Sequence, residues 1–197
     1  ISLANYMGKS ETIIVGSSEK SGLMEDLGPS RRAKQYGMIL DLMNLGGIYE
    51  FIGGAVVDDD RVQYPIEVVT DNEKVFVLSM ASRDDRVSPS YDKAPPKFPN
   101  FTKGGVEKYN GKYEILVERH TINRPDDVSP GSMTSTMSLD WRKPLETADN
   151  KSIFVSGMAR IDVGKALIIV GSTPSSSDAG DLDGMMAKVT TDNGSFA

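Results

Sequence analysis

Short extended segments dominate the sequence after Gly47, and this pattern constrains the fold more than any other feature. Runs rich in β-branched and aromatic residues end at turn-forming residues, and they cover residues 48–57, 62–69, 74–80, 112–122, 134–141, 152–161 and 165–171. An earlier run spans residues 11–17, and Asn110-Gly111 is the strongest hairpin signal. Seven or eight short strands favour a two-sheet sandwich or a barrel over alternating β-α-β units.

Glycines and tight turns refine this prediction. Gly53-Gly54 interrupts the apolar run at residues 48–57, which indicates a bulge or a close approach of two backbones. The polar residues 70–73 predict a hairpin turn, and residues 162–164 predict a second tight turn.

One segment shows a different periodicity and predicts a helix at residues 31–45. Tyr36, Ile39, Leu40 and Met43 recur at helical spacing, with charged and polar residues largely on another face. Ser30 precedes the segment as a plausible N-cap, and residues 46–47 are glycines that would end it.

Composition excludes several classes of protein. Of the 197 residues, 22 are Lys or Arg and 28 are Asp or Glu, which gives a net charge of −6 with the one His neutral. This acidity argues against a chain whose main task is to bind nucleic acid through a broad basic face. No apolar run reaches the roughly 18–20 residues that a membrane-spanning helix needs, so we expect no membrane span. Cysteine is absent, which removes disulfides, thiolate metal sites and cysteine nucleophiles.

Phosphate-binding and metal-binding motifs are incomplete. Gly8-Lys9-Ser10 is similar to the end of a phosphate-binding loop, but Leu3 stands where that loop needs glycine. The acidic segment 178–184 is spaced like part of a calcium loop, but Thr190 occupies the position of the bidentate Glu. Residues 58–60 are three Asp that could ligate a cation, but a charged turn that ends a strand explains them better. We therefore predict no metal site and no cofactor.

Catalytic residues are not predicted either. His120 is the only histidine, so a site with several histidine ligands is impossible. A Ser-His-Asp arrangement could use it, but no Gly-x-Ser-x-Gly sequence nominates a serine, and His120 lies within a predicted strand. We predict that the chain is not an enzyme, and a hydrolase using His120 or paired carboxylates is the weakest alternative.

A binding function is a stronger alternative. Four aromatic residues could line a ligand cavity, although aromatic residues on strands belong more often to the core: Tyr49, Phe51, Trp141 and Phe154. Three N-glycosylation sequons, which matter only in a secreted chain, begin at Asn100, Asn150 and Asn193. These features leave open a soluble β-barrel or sandwich that binds a small ligand or a glycan.

Stretches at the two ends of the chain resemble the capsid proteins of picorna-like viruses. Residues 2–10, Ser-Leu-Ala-Asn-Tyr-Met-Gly-Lys-Ser, lead into Thr-Ile-Ile-Val at 12–15 and resemble the opening of the first jelly-roll strand. Residues 159–174 resemble the last strand, which often follows an acidic turn and finishes in Gly and Pro. Between them, the predicted helix and the following residues 47–54 lie where the family has a helix before its fourth strand. The central strands and the proline-rich loops 81–105 and 123–132 have no counterpart, the chain is short for such a subunit, and it lacks a basic arm for RNA.

The resemblance implies a fold, a function and a location. The fold would be mainly β, an antiparallel β-sandwich of the viral jelly-roll type over residues 11–172, with one helix near residues 31–45. Residues 1–10 and 173–197 would be terminal arms that contact neighbouring subunits. The chain would be a structural subunit of an icosahedral virus capsid, assembled in the host cytoplasm with other capsid proteins around an RNA genome that it contacts little. Ile1 in place of Met would follow from cleavage of a polyprotein.

Overall fold

A computed structural model describes residues 2–5, 11–19, 35–57, 63–82, 113–124, 135–146, 153–175 and 182–196. Within these ranges the regular structure consists of strands and one short 3-10 turn, Asp162–Gly164. The strands are β1 Ser2–Asn5, β2 Glu11–Glu19, β3 Gln35–Leu45, β4 Ile48–Val57, β5 Gln63–Asp71, β6 Lys74–Ser82, β7 Tyr113–Asn123, β8 Ser135–Leu145, β9 Phe154–Ile161, β10 Ala166–Pro174 and β11 Leu182–Thr190.

The strands form two sheets. The larger sheet has eight strands in the order β1-β2-β3-β4-β8-β7-β6-β5, and the smaller sheet has the order β11-β10-β9. Neighbouring strands are antiparallel except for β4 and β8, which run parallel and pair at two positions among the described residues. The larger sheet is therefore two four-stranded meanders, β1–β4 and β5–β8, joined at one short parallel contact that we call the seam.

The larger sheet rolls up until its edges meet. Its edge strand β5 packs against β1 and β2 at the opposite edge. The sheet is thus nearly closed, and its concave face surrounds an interior core. Side chains from both meanders meet in that core: Ile13, Val15, Ile39, Val68, Val75, Val77, Ile122 and the partly buried Met137.

Strand β6 explains why a second core forms outside the roll. Its sequence is an almost unbroken apolar run, and successive side chains of a strand point to opposite faces. Val75 and Val77 enter the interior core, whereas Phe76 and Leu78 belong to an outer core beneath the three-stranded sheet. That outer core also takes Leu167 and other side chains of β9, β10 and β11. The smaller sheet therefore covers the outside of the β5–β8 meander.

The predicted helix at residues 31–45 is wrong, because residues 35–45 form strand β3. Ile39 and Asp41 are fully buried while Leu40 between them is only partly buried, which is the period of a strand. β3 has hydrogen-bonded neighbours on both sides, β2 and β4, and an isolated helix of this length has no comparable partner. Residues 31–34 lie outside the described ranges.

Gly46-Gly47 closes a hairpin instead of ending a helix. Both glycines have positive φ, 65° and 98°, which a tight two-residue turn between twisted strands requires. Asn44 Oδ1 accepts a hydrogen bond of 2.8 Å from the Gly47 amide and fixes the turn. The β3–β4 hairpin therefore has a well-defined tip.

Other sequence predictions have mixed outcomes. The mainly β class is confirmed, as are the turns at residues 70–73 and 162–164 and the backbone irregularity at Gly53-Gly54. The jelly-roll arrangement is not shown, since the sheet neighbours follow chain order everywhere except at the seam. Both predicted arms contain strands that pair within this chain, β1 and β11. Their contact with neighbouring subunits stays a prediction, and Asn110-Gly111 lies outside the described ranges.

Candidate functional site in the rolled sheet

The seam is the most distinctive local structure of the larger sheet. Among the described residues, the paired strand residues that link the two meanders are Gly53 with Ser135 and Gly54 with Thr136. A methyl group on Gly53 would overlap the main-chain carbonyl of Ser135, so the two backbones approach more closely than any other residue type permits. The opposing strand β3 has its pairing irregularity at the same level, beside Asp41.

Four polar side chains converge at this seam, and we call them the seam network: Glu11, Asp41, Arg124 and Ser135. Arg124 Nη2 lies 2.5 Å from Glu11 Oε2 and 3.2 Å from Asp41 Oδ2. The hydroxyl of Ser135 donates a hydrogen bond of 2.8 Å to the same Asp41 oxygen. The network therefore ties β2 and β3 of one meander to the end of β7 and the start of β8 in the other.

Burial makes this network energetically important. Asp41 is fully buried and Glu11 and Ser135 are nearly so, and removing one partner of a buried ion pair costs about 3–5 kcal/mol. Asp41 Oδ1 has no hydrogen-bond partner among the described residues. That oxygen can accept a hydrogen bond from a donor held inside the roll.

A second buried group lies on β7 and β8, and we call it the core network: Glu118, His120 and Arg142. Glu118 is opposite Val77 and His120 is opposite Val75, so both side chains point into the roll beside the interior core. Arg142 Nε lies 2.5 Å from Glu118 Oε1, and His120 Nε2 lies 3.0 Å from Glu118 Oε2. Because a carboxylate only accepts hydrogen bonds, the imidazole nitrogen donates. Glu118 thus uses both oxygens to hold two donors in place.

A third charged group surrounds Asp140 on the outer side of the sheet. Asp140 lies where β8 has one residue more than β7, and its carboxylate accepts hydrogen bonds from Arg119 Nε at 2.8 Å and from Thr121 at 2.7 Å. Lys74 Nζ is 3.6 Å away. Partial burial alone would raise the pKa of Asp140, but the hydrogen bonds from Thr121 and Arg119 and the nearby positive charges outweigh it, so the pKa is lowered.

The aromatic residues predicted to line a cavity lie in different environments. Trp141 packs against Phe76, with ring centres 6.4 Å apart, and donates a hydrogen bond to the Thr191 carbonyl at 3.3 Å. Tyr49 is exposed at the β3–β4 hairpin tip, whereas Phe154 is buried. Trp141 is thus part of the outer core and of the attachment of the C-terminal segment.

The remaining sequence candidates are also located. Asp183 and Gly184 lie within strand β11, not in a calcium-binding loop. Within the part of the chain that the structure describes, no group of three or more acidic or histidine side chains could hold a metal ion. Asn193 lies in the turn after β11, where its Oδ1 accepts a hydrogen bond from Thr190. Residues 8–10, 58–60, 100 and 150 lie outside the described ranges.

An exposed apolar surface lies at the tip of the β3–β4 hairpin, and we call it the hairpin tip: Leu45, Ile48 and Tyr49. Their exposed fractions are 39%, 68% and 54%. The described pairing of β2 with β3 ends at Met43. The tip is therefore apolar and exposed, and its turn is held by the hydrogen bond between Gly47 and Asn44.

Sequence reasoning did not find either buried network. Glu11 and Arg124 are separated by 113 positions, and no local motif joins them. One signal was available, because Asp41 and Glu118 are acidic residues next to runs of Ile, Leu and Val. Charged residues in such runs are buried only when they are paired.

Comparisons with known proteins do not assign a family. The chain matches no protein-family model, and no curated protein shares significant sequence similarity with it. Among the described residues, no helix is long and apolar enough to cross a membrane.

Proposed function

We propose that this chain is a structural subunit of an icosahedral virus capsid that assembles with other capsid proteins around an RNA genome. The observation that carries the proposal is the hairpin tip, three large apolar side chains exposed on a turn that a side-chain hydrogen bond holds rigid. The described residues of the chain do not bury this surface. A neighbouring subunit would.

The energetics favour a contact function for the tip. Fully burying one Leu or Ile side chain stabilises a complex by about 1.5–3 kcal/mol. A preorganised turn loses little conformational entropy on binding, so most of that gain contributes to affinity. In a closed shell, symmetry repeats each contact many times, and modest interfaces are therefore sufficient.

The sequence resemblance supports the same proposal through the two ends of the chain. The segment resembling the first capsid strand leads into β2, and the segment resembling the last strand contains β10. The helix between them is a strand here, so that part of the resemblance no longer contributes. The jelly-roll arrangement and the location in a virion belong to this proposal, and the meander order of the strands gives the jelly roll no support.

Sedimentation of native material, with negative-stain imaging of the same fraction, tests the proposal. We expect uniform spherical particles that contain this chain and other chains of similar size. A small monodisperse species would contradict it.

A surface variant tests the role of the tip itself. Replacing Ile48 and Tyr49 with Ser should reduce incorporation into particles and leave the thermal midpoint of the isolated chain almost unchanged, because both side chains are exposed. Val163→Ser is the matched control, since Val163 is fully exposed at a different turn. Equal incorporation of the tip variant and the control would refute a contact role for the tip.

A small-ligand-binding protein is a second candidate, favoured by the buried Asp41 Oδ1 that lacks a partner among the described residues. A small polar molecule with a hydrogen-bond donor could be held inside the nearly closed roll at this oxygen. Thermal-shift screening of small amines and polyols against the wild type and Asp41→Asn tests this. A stabilising compound that loses its effect in the variant would support ligand binding, and no stabilisation by any compound would reject it.

A further inference from the structure

We propose that the free edge of β11 pairs with β11 of a second copy of this chain across a two-fold axis, forming one continuous six-stranded antiparallel sheet. This inference deepens the proposed subunit function, on which it rests, by naming the partner and the strand that meets it.

The edge of β11 differs from the other sheet edges. Exposed strand edges normally carry features that prevent pairing with other chains, such as proline or bulges. Pro65 and a pairing irregularity occur in the edge strand β5, and the pairing of the edge strand β9 with β10 is irregular between Val170 and Gly171. β11 pairs with β10 in continuous register from Leu182 to Thr190, without proline and without a bulge.

The C-terminal segment covers only one end of this edge. Val189 forms a bridge with Phe196, and the Thr190 amide donates a hydrogen bond of 2.9 Å to the Ser195 carbonyl. Among the described residues, nothing pairs with the outer edge between Leu182 and Ala187. The Val189–Phe196 bridge is flanked by main-chain hydrogen bonds at Thr190 and at the outward carbonyl of Lys188, so the edge available to another strand ends at Ala187.

Backbone geometry fixes which residues can pair. The Thr190 amide points away from β10 toward Ser195, and alternate residues of a strand share that direction. The main-chain groups of Leu182, Gly184, Met186 and Lys188 therefore point outward. A two-fold axis through Met185 pairs Gly184 of each copy with Met186 of the other, and the pairing ends before Lys188, which the C-terminal segment covers. A register shifted toward the C-terminus would require Thr190, whose amide is already bonded.

Side chains agree with this register. Met186 is 73% exposed, and it would lie opposite Gly184 of the other copy. Nothing lies within 4 Å of the position of a Cβ on Gly184, so there is open space for the methionine. On the other face the two partly buried Met185 side chains would meet and extend the outer core across the interface.

Charges disfavour other symmetric registers. Centring the axis on Asp183 or on Lys188 would place two like charges directly opposite each other, which destabilises a strand pair. In the proposed register Asp183 is opposite Ala187. The contact is isologous and closes as a dimer, so it supplies one two-fold interface of a larger assembly.

Engineered cysteines test the register directly, because the natural chain has none. Chains carrying Gly184→Cys and Met186→Cys are co-expressed with tags of different mass and oxidised. Directly opposite residues of a hydrogen-bonded pair have Cα atoms about 5.5 Å apart, within disulfide range. Each variant alone would place its two cysteines about 8 Å apart, beyond that range.

The matched control is Gly157→Cys, co-expressed with Met186→Cys. Gly157 lies on β9, at the opposite edge of the same sheet, and has equally open space at its Cβ position. We expect at least about tenfold more cross-linked heterodimer from the 184/186 pair than from the 157/186 pair, given the distance limit on disulfides. Circular dichroism of each variant verifies that the fold is kept.

Two results would overturn the inference: equal cross-linking of the two pairs, or no cross-linking of the 184/186 pair in folded protein. The outcome is separable from that of the proposed function. Particles without the 184/186 cross-link would keep the capsid proposal and reject this interface. A cross-linked dimer in material that forms no particles would keep the interface and reject the capsid proposal.

Discussion

Replacing Glu118 with Gln should destabilise the protein more than any comparable change of a surface carboxylate. Glu118 is fully buried, and its two oxygens hold Arg142 at 2.5 Å and His120 at 3.0 Å. Glutamine keeps the shape of glutamate but has one acceptor oxygen. Its NH2 group would therefore face a donor, either Arg142 Nε or His120 Nε2. The variant therefore loses a buried ion pair and one hydrogen bond.

The expected magnitude follows from these contacts. Removing one partner of a buried ion pair lowers the free energy of unfolding by about 3–5 kcal/mol. Because Gln retains one acceptor oxygen, we expect a loss at the lower end of this range, about 3 kcal/mol. For a chain of this size each kcal/mol lowers the thermal midpoint by roughly 2–4 °C. We therefore expect a midpoint lower by about 6–12 °C at neutral pH.

Urea and thermal unfolding followed by circular dichroism measure this effect. Glu73→Gln, in the exposed turn between β5 and β6, is the control and should change the free energy of unfolding by less than about 0.5 kcal/mol. Arg142→Met completes a double-mutant cycle with Glu118→Gln, and the combined loss should be smaller than the sum by at least about 1 kcal/mol. A loss below about 1 kcal/mol in Glu118→Gln alone would refute the reasoning.

Three further predictions concern the seam, a strained turn and pH. Gly53→Ala should lower the free energy of unfolding in urea by about 3 kcal/mol or more, because the added methyl group overlaps the Ser135 carbonyl. The control Gly157→Ala has open space around it and should lower the free energy of unfolding far less. Equal losses in the two variants would exclude the close contact as the cause. Val163→Asn should raise stability by roughly 1 kcal/mol, since Val163 has φ 54° and Asn adopts that conformation more readily; a lower midpoint would contradict this. Because the pKa of Asp140 is lowered, its ionised form stabilises the fold. This stabilisation is fully present at pH values above the ordinary pKa of 3.8, and it disappears as the pH falls through the lowered pKa. Wild type should thus exceed Asp140→Asn in thermal midpoint at neutral pH, and the difference should shrink below about pH 4; a difference independent of pH would oppose this assignment.

Local signals predicted β2, the strands from β4 to β10 and the turns at residues 70–73 and 162–164, but not strands β1, β3 and β11. β6 is a nearly continuous apolar run, and the turns after Asp71 and Ile161 carry residues that favour tight turns. These predictions need only the preferences of neighbouring residues, and local preference is what a sequence displays directly.

The helix prediction failed because its pattern satisfied two structures. Ile39 and Leu40 follow helical spacing, yet they also alternate between buried and half-buried in a strand. Pairing with β2 and β4 decided between the two, and β2 lies in a distant part of the sequence. Tertiary context overrides a weak local preference of this kind.

The buried networks show the limit of sequence reasoning most clearly. The sequence by itself determined the mainly β class, the positions of most strands and turns, and the absence of thiol chemistry, since each depends on composition or on residues close in the chain. Only the tertiary structure decided the roll of the sheet, the seam at Gly53, and the meeting of Glu11 with Arg124. Contacts between such distant residues depend on strand order and register, and strand order is fixed by the packing of whole sheets.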